Sequence, residues 1–238
     1  MNIMRMRDPT DDHLVAHPLL PLPFKLAICG KSQLSGKTTL TANLLLRPEF
    51  YYKYWKPANI FLFSPSADTY KWKTIIDKLD IPDSNIFNAY DGDILSELYD
   101  ELVERYKDTP EQSLIIFDDC GFDDSLRSRM IDKIASNSRH YLISSILICQ
   151  KYTQLSTCYR ENLTGCVLYE ATEKQLNLIE HDFCFGSKKS FRQMFTECTK
   201  EARDFLFINM TKPRDQRFSH SFGASIDLDS PSKSGLKT

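Results

Sequence analysis

Ala27-Ile28-Cys29-Gly30-Lys31-Ser32-Gln33-Leu34-Ser35-Gly36-Lys37-Thr38-Thr39 is the stretch on which the reading of this chain turns. Upstream, Phe24 to Cys29 is an apolar run with no polar residue after Lys25. Downstream, Thr38 to Leu46 carries helix formers, with Leu40 and Leu44 one turn apart. The order is strand, glycine-bounded loop, helix. Phosphate binding needs that order, because loop N–H groups and the free donors of a helix N-terminus must converge on one anion. Gly36 lets the backbone approach closely, Lys37 supplies a point charge between β- and γ-phosphates, and the Thr38 hydroxyl faces Mg²⁺. The candidate nucleotide-binding residues are Gly30, Ser35, Gly36, Lys37, Thr38 and Thr39. Five residues separate the two glycines where a P-loop has four, so either the strand ends one residue early or Lys31 takes the place of the first glycine. The bland alternative is an ordinary strand-to-helix turn that contains Gly-Lys-Thr.

Ser113-Leu114-Ile115-Ile116-Phe117-Asp118-Asp119 is the second informative stretch. Four consecutive apolar residues ending in paired carboxylates describe a buried parallel strand that delivers acids to its carboxyl end. Asp118 is the candidate metal acid, together with Thr38, and Asp119 the candidate for orienting or deprotonating an attacking water. A third apolar run, Leu142 to Cys149, ends at Gln150, an amide placed to sense a γ-phosphate. Ser138-Arg139-His140 stand just before it, with a guanidinium available to a neighbour's nucleotide.

Composition bounds the rest. The chain has 238 residues, 42% hydrophobic and 26% charged, the values of a globular body that folds without staples. A net charge of −2 gives no global pull toward nucleic acid, so such contacts must come from local basic loops or a ring of subunits. The seven cysteines contain no C-x-x-C pair and read as reduced, mostly buried small hydrophobes. A zinc site from His181, Cys184 and Cys198, or a cluster from Asp11, Asp12 and His13, is a weaker reading. No stretch has the length of a membrane span and no signal-peptide layout opens the chain, so a soluble intracellular protein is expected.

Along the chain, residues 1–23 read as an arm, 24–210 as one α/β domain and 211–238 as a tail. The aromatic and lysine run Phe50 to Lys56 reads as a helix end packed on the core. Asn59 to Phe63 is a second strand. Thr69 to Leu79 is a helix with Lys71, Trp72 and Lys73 exposed at its start, Ile86 and Phe87 a short edge strand, and Ile94, Leu98, Leu102 and Tyr106 the face of a further helix. Ser125 to Ala135 reads as a helix, Lys151 to Gln154 and Tyr159 to Asn162 as loops, and Cys166 to Glu170 as a strand. Glu173 to Glu180 and Lys188 to Lys200 read as helices, and Phe205 to Ile208 closes the sheet. The expected fold is a three-layer α/β P-loop NTPase domain with a mainly parallel sheet and an extra strand between the P-loop strand and the acid-bearing strand.

Placed beside the P-loop, Asp118-Asp119, Ser138-Arg139-His140 and Gln150 form a set that resembles the genome-packaging ATPases of poxviruses, other large DNA viruses and virophages, in the FtsK–HerA branch of ring-forming motors. The resemblance spans about Phe24 to Asn209 and is most specific from Ser138 to Gln150. It implies ATP and Mg²⁺ as ligands, Lys37 and Thr38 on phosphate and metal, Asp118 as metal acid and Asp119 as catalytic carboxylate. Gln150 would be the sensor and Arg139 the finger reaching into the adjacent subunit, with Arg160 a second candidate. The implied partners are double-stranded DNA, further copies in a homo-oligomeric ring, and a capsid vertex or portal-like component, in the host cytoplasm at a virus factory or on the virion. Asp119 stands where the cellular motors commonly have Glu. The rival readings are a P-loop kinase of a nucleotide or small molecule, a guanine-nucleotide switch, which lacks an Asn-Lys-x-Asp motif here, and a capsid-associated nucleotide-binding protein without turnover. Basic loops at Lys71-Trp72-Lys73, Lys151-Tyr152 and Lys188-Lys189-Arg192 are the candidates for touching DNA phosphates.

Overall fold

The computed structural model describes residues 8–32, 35–120 and 125–226. In chain order the elements are β1 (Lys25–Cys29), α1 (Lys37–Leu46), β2 (Ile60–Phe63), α2 (Tyr70–Leu79), β3 (Ile86–Phe87), α3 (Gly92–Asp108), β4 (Ser113–Asp118) and α4 (Arg129–Asn137). They continue with β5 (Ile143–Cys149), α5 (Thr157–Glu161), β6 (Gly165–Leu168), α6 (Glu173–Phe183), α7 (Lys188–Cys198), β7 (Leu206–Asn209), β8 (Phe218–His220) and β9 (Ser225–Ile226). Every residue of β1, β2, β4, β5 and β6 is buried, as strands covered on both faces must be. That burial explains their near-continuous apolar sequences.

The strands form one sheet in the order β3-β2-β4-β5-β1-β6-β7-β8-β9. Neighbours from β3 to β6 are parallel, and β7, β8 and β9 continue antiparallel. β5 lies between β1 and β4, the inserted strand that the sequence predicts. Alternate side chains feed two cores. Ala27, Cys29, Ile115, Phe117, Leu147 and Cys149 pack under α3 to α7. Leu26, Ile28, Leu114, Ile116, Ile146 and Ile148 pack under α1, α2 and the aromatic segment with Tyr51 and Trp55. The register sets Cys29 beside Cys149 and Leu168, and Asp118 beside Ile148. Gly30, Asp119, Gln150 and Tyr169 therefore all leave the sheet at one edge.

Several local expectations change. Trp72, expected exposed, is fully buried. The buried stripe of α3 is Leu95, Leu98, Tyr99 and Leu102, and Ile94 is exposed. Residues four apart drift by about 40° per step around a helix of 3.6 residues per turn, so a strict four-residue repeat leaves the core face. The helix expected from Ser125 starts at Arg129, because the Ser128 hydroxyl accepts from the Ile131 N–H as its cap and a short 3₁₀ turn precedes it. Tyr152 to Gln154 form another 3₁₀ turn, and α5 occupies part of the second predicted loop. Tyr51 and Trp55 are buried as expected, on turns rather than a helix end.

Sheet pairing continues beyond Asn209 through β8 and β9, inside the stretch read as a tail; alternation in Phe218-Ser219-His220 is too short to announce a strand. Residues 227–238 lie outside the described set, as do Gln33 and Leu34 of the P-loop and 121–124 after the acids. The segment before β1 has a 3₁₀ turn at Pro9–His13, a bridge from Val15 to Leu22, and buried Leu20 and Leu22 against the second core. Among the described residues no helix is long and apolar enough to cross a membrane, and no group of three or more His, Cys, Asp or Glu could hold a metal ion, which removes the two cluster readings. All seven cysteines are free thiols, five of them buried.

Candidate active site

β1 ends at Cys29, so the strand stops one residue before the first glycine and the longer loop is accommodated beyond it. Gly30 fills the glycine role itself: a Cβ there would lie 2.8 Å from Tyr169 Cβ and 2.9 Å from Ser35 Cβ, distances that real side chains do not occupy. Gly36 caps α1 with φ of 76°, the left-handed region that favours glycine, and offers no side chain to the helix. The first N–H groups of α1 are thus left to a ligand, as anion binding requires. Ser35 is buried and turns inward, its hydroxyl donating to the Lys31 carbonyl at 2.7 Å.

Lys37 folds back over the loop, donating to the Gly30 carbonyl at 2.6 Å and the Lys31 carbonyl at 3.3 Å. Burial pushes its ammonium below the ordinary lysine value, while the carboxylates of Asp118 and Asp119 act in the opposite direction. Asp118 is 5% exposed. Burial raises its carboxyl to about 6, and the negative charge of Asp119 adds to the rise; the Trp72 indole and the Lys37 ammonium hold it down. Trp72 Nε1 donates to Asp118 Oδ2 at 2.5 Å.

Asp119 leaves the end of β4 in a left-handed turn with φ of 56°, its N–H donating to the Ile148 carbonyl at 3.2 Å. Its Oδ1 accepts from Gln150 Nε2 at 2.9 Å, and Gln150 is tied in turn by its own N–H to Gln154 Oε1 at 3.0 Å. The predicted sensor therefore holds the predicted catalytic carboxylate. A cleft of about 480 Å³ runs between these parts, bordered by Gly36, Lys37, Thr38, Trp72, Asp118 and Asp119. A hydroxyl and a carboxylate in one cleft are hard oxygen donors of the kind Mg²⁺ takes while keeping several waters, so Thr38 and Asp118 fit that ion.

Seven predicted residues, Ser35, Gly36, Lys37, Thr38, Asp118, Asp119 and Gln150, meet at this edge; Gly30 is joined to it through Lys37, and Thr39 through Lys71, which borders the cleft. Arg139 does not join them. It lies before the opposite end of β5, exposed and paired with Asp11 at 3.4 Å. Arg160 is committed elsewhere: its guanidinium bonds Asp182 and the Thr157 hydroxyl, both partners of the ion pair largely buried. That removes its availability to a neighbour. Of the basic loops, Trp72 and Tyr152 are buried, and Lys188 and Arg192 pair with Glu180.

Sequence reasoning placed Lys71 and Trp72 in an exposed basic stretch facing DNA and not in this site, where the Lys71 ammonium donates to the Thr39 hydroxyl at 3.1 Å and the Trp72 indole to Asp118. The available signal was position: α2 follows β2, and β2 borders the acid-bearing strand, so the first turn of α2 arrives at the catalytic edge. Arg203 was also missed. It comes from the turn before β7, and its side-chain stem covers Gly36.

The family described as Poxvirus A32 protein matches residues 12–213. No curated protein matches the chain. Among solved structures, the genome packaging NTPase B204 from Sulfolobus turreted icosahedral virus 2, in complex with sulfate, superposes with a TM-score of 0.58 at 14% identity, covering 83% of this chain and 94% of that one. B204, the DNA-packaging ATPase from Sulfolobus turreted icosahedral virus, gives 0.53 at 15% identity, covering 80% and 94%. At these identities the shared property is the fold, a P-loop NTPase sheet with the expected inserted strand. The family match takes in the P-loop, both acids, Gln150 and all of the parallel strands, and on it the chain belongs to the Poxvirus A32 protein family.

Proposed function

We propose that this chain is an ATP-hydrolysing motor that moves double-stranded DNA into a viral capsid, working as a homo-oligomeric ring with a capsid vertex or portal-like component, at the virus factory in the host cytoplasm or on the virion. The observation that carries the reading is the Gln150–Asp119 bond at 2.9 Å at the edge where Lys37 and Asp118 also lie. Family membership supports it, as do the names of the proteins sharing the fold: B204 is a genome packaging NTPase, and it has been captured with AMP and with ATP-gammaS.

In the proposed reaction Lys37 leaves the loop carbonyls for the β- and γ-phosphate oxygens, and the α1 N-terminus receives the phosphate chain. Asp119, held by Gln150, orients or deprotonates water for in-line attack on the γ-phosphorus, with ADP as the leaving group. Mg²⁺, when bound by Thr38 and the water shell of Asp118, supplies neutralisation of charge on the phosphate oxygens. Arg139 reaches the site of the next protomer, since it lies far from its own. An arginine finger contributes roughly 10³ to 10⁵ in rate.

The test is steady-state ATPase activity with and without double-stranded DNA over a protein concentration series, for wild type, Lys37→Ala, Asp119→Asn and Arg139→Ala. DNA-stimulated activity that rises with concentration and is lost in all three variants supports the motor. Activity indifferent to DNA and concentration, with Arg139→Ala intact, overturns the ring and favours a kinase. Nucleotide binding without turnover favours a capsid-associated binding protein.

A further inference from the structure

Arg203 occupies the turn between α7 and β7 with φ of 76°, a conformation that a side chain with a Cβ adopts at a cost. Strain of this kind persists where surrounding structure imposes it, and it gathers at ligand sites. The Arg203 stem lies over the P-loop: the position a Cβ would take on Gly36 is 3.9 Å from Arg203 Cγ and 4.0 Å from Cδ. No hydrogen bond or ion pair joins its guanidinium to another described residue. The neighbouring carboxylate, Asp204, is engaged with His220 at 3.1 Å.

A second cleft, of about 220 Å³, opens beside it between Lys31, Ser35, Tyr169, Glu170, Arg203 and Asp204. It shares Ser35 with the acid-side cleft and lies across the loop from it. The sheet order fixes that relation, because β1 has β5 and β4 on one side and β6 and β7 on the other. The reacting phosphate belongs beside Asp118, Asp119 and Gln150. A triphosphate laid over the start of α1 with that end among the acids directs its α-phosphate and nucleoside toward β6 and β7.

We propose that Arg203 binds the α-phosphate of the nucleoside triphosphate held by its own subunit, and that the cleft between the end of β6 and the turn before β7 receives the nucleoside. This rests on the nucleotide-hydrolase reading above. A guanidinium suits the role because it stays charged and offers planar, paired donors to phosphate oxygens. It also separates two arginine functions in the chain, Arg203 binding in cis while Arg139 is reserved for a neighbour.

The experiment is titration calorimetry of purified wild type, Arg203→Gly, Arg203→Lys and Lys37→Ala with ATP-gammaS, ADP and AMP, with thermal midpoints recorded in parallel. Arg203→Gly is expected to weaken all three nucleotides alike, by roughly 10- to 100-fold as for loss of a charge-assisted bond. Its thermal midpoint should hold or rise, since glycine accepts the positive φ without strain. Arg203→Lys should recover part of the affinity, and the losses should not depend on protein concentration. A loss confined to ATP-gammaS, or one that appears only at concentrations where subunits associate, would overturn the assignment. If Lys37→Ala loses binding while Arg203→Gly keeps it, this inference alone fails. A wild type that binds none of the three sinks the hydrolase reading along with it.

Discussion

The indole N–H of Trp72 donates to Oδ2 of Asp118 at 2.5 Å, joining a fully buried aromatic on α2 to the acid that ends β4. One carboxylate oxygen of a residue that borders the cleft is thereby fixed by the protein. The bond also opposes the effect of burial, favouring the ionised acid where desolvation favours the neutral one. Trp72→Phe keeps most of the packing and deletes the donor. We expect ATPase activity to fall roughly 10- to 100-fold, in line with loss of a bond to a charged group worth about 1.5–3 kcal/mol. A higher Mg²⁺ concentration should be needed for half-maximal rate. A Mg²⁺ titration of the two proteins checks this, and identical curves would remove Trp72 from the site.

The raised carboxyl of Asp118 makes a stability prediction with a definite sign. Its folded value, about 6, exceeds the ordinary aspartate value of 3.8, so between those pH values the folded state holds more protons than the unfolded. Stability contributed by this group therefore falls as pH rises from about 4 to 6 and stays low above. By linkage the loss is on the order of 2–3 kcal/mol. In metal-free, nucleotide-free buffer, Asp118→Asn should be more stable than wild type at pH 7, and the gap should narrow toward pH 4. Urea unfolding at the two pH values measures it. ATPase activity should decline on acidification toward pH 6, since the reaction needs the ionised acid.

Gly30→Ala should disable the loop without touching a charged group. The new methyl would meet Tyr169 and Ser35 at under 3 Å, and both are buried. We expect destabilisation of about 1–3 kcal/mol from overpacking, together with weakened nucleotide binding, seen by thermal unfolding with and without ADP. Retained ligand-induced stabilisation would show that the loop tolerates the shift.

Asp119 combines a functional carboxylate with a left-handed backbone, and two substitutions separate the properties. Asn adopts that conformation readily, so Asp119→Asn should fold with unchanged stability while losing roughly 10²–10⁴ in turnover. Asp119→Ala should lose the same activity and, in addition, about 1 kcal/mol of stability. Gln150→Ala should reduce kcat with little change in KM, because Gln150 acts on Asp119. Kinetics and urea midpoints on the three variants test the division.

Arg160→Ala and Arg139→Ala should behave oppositely. Arg160 and Asp182 form a largely buried pair to which the Tyr152 hydroxyl also donates, at 2.8 Å to Asp182. Removing the guanidinium leaves a buried carboxylate and should cost about 3–5 kcal/mol. The Arg139–Asp11 pair is exposed and should cost at most about 1 kcal/mol. Thermal midpoints settle the stability half, and DNA-stimulated ATPase the functional half.

The site was legible where chemistry and periodicity coincide along the chain. The acids closing one apolar run and the Gln150 closing another sit at strand ends, and Gly36-Lys37-Thr38 opens the helix that follows a third, so a parallel sheet must gather them. The residues that escaped are those whose partners are distant in sequence. Trp72 stands between two lysines and reads as surface, yet its acceptor is 46 residues away on β4. Arg160 reads as a free cation because Asp182 comes 22 residues later. Arg203 belongs to a turn with no motif, and its meaning arises only when β7 brings it over Gly36. The late strands β8 and β9 were hidden for a simpler reason: edge pairs of two or three residues carry no readable alternation.

The position of β1 in the sheet has a consequence for how the protein is made. β1 hydrogen-bonds to β5 and β6, and Cys29 meets its neighbour Cys149 120 residues later. At about 5–20 residues per second of synthesis, that gap corresponds to roughly 6–24 s. Throughout it the apolar Phe24 to Cys29 segment emerges with both edges unpaired, a template for association with other nascent chains. The phosphate loop is thus translated early and assembled late, so ribosome pausing before β5 should govern the yield of active protein more than the stability of the finished fold does.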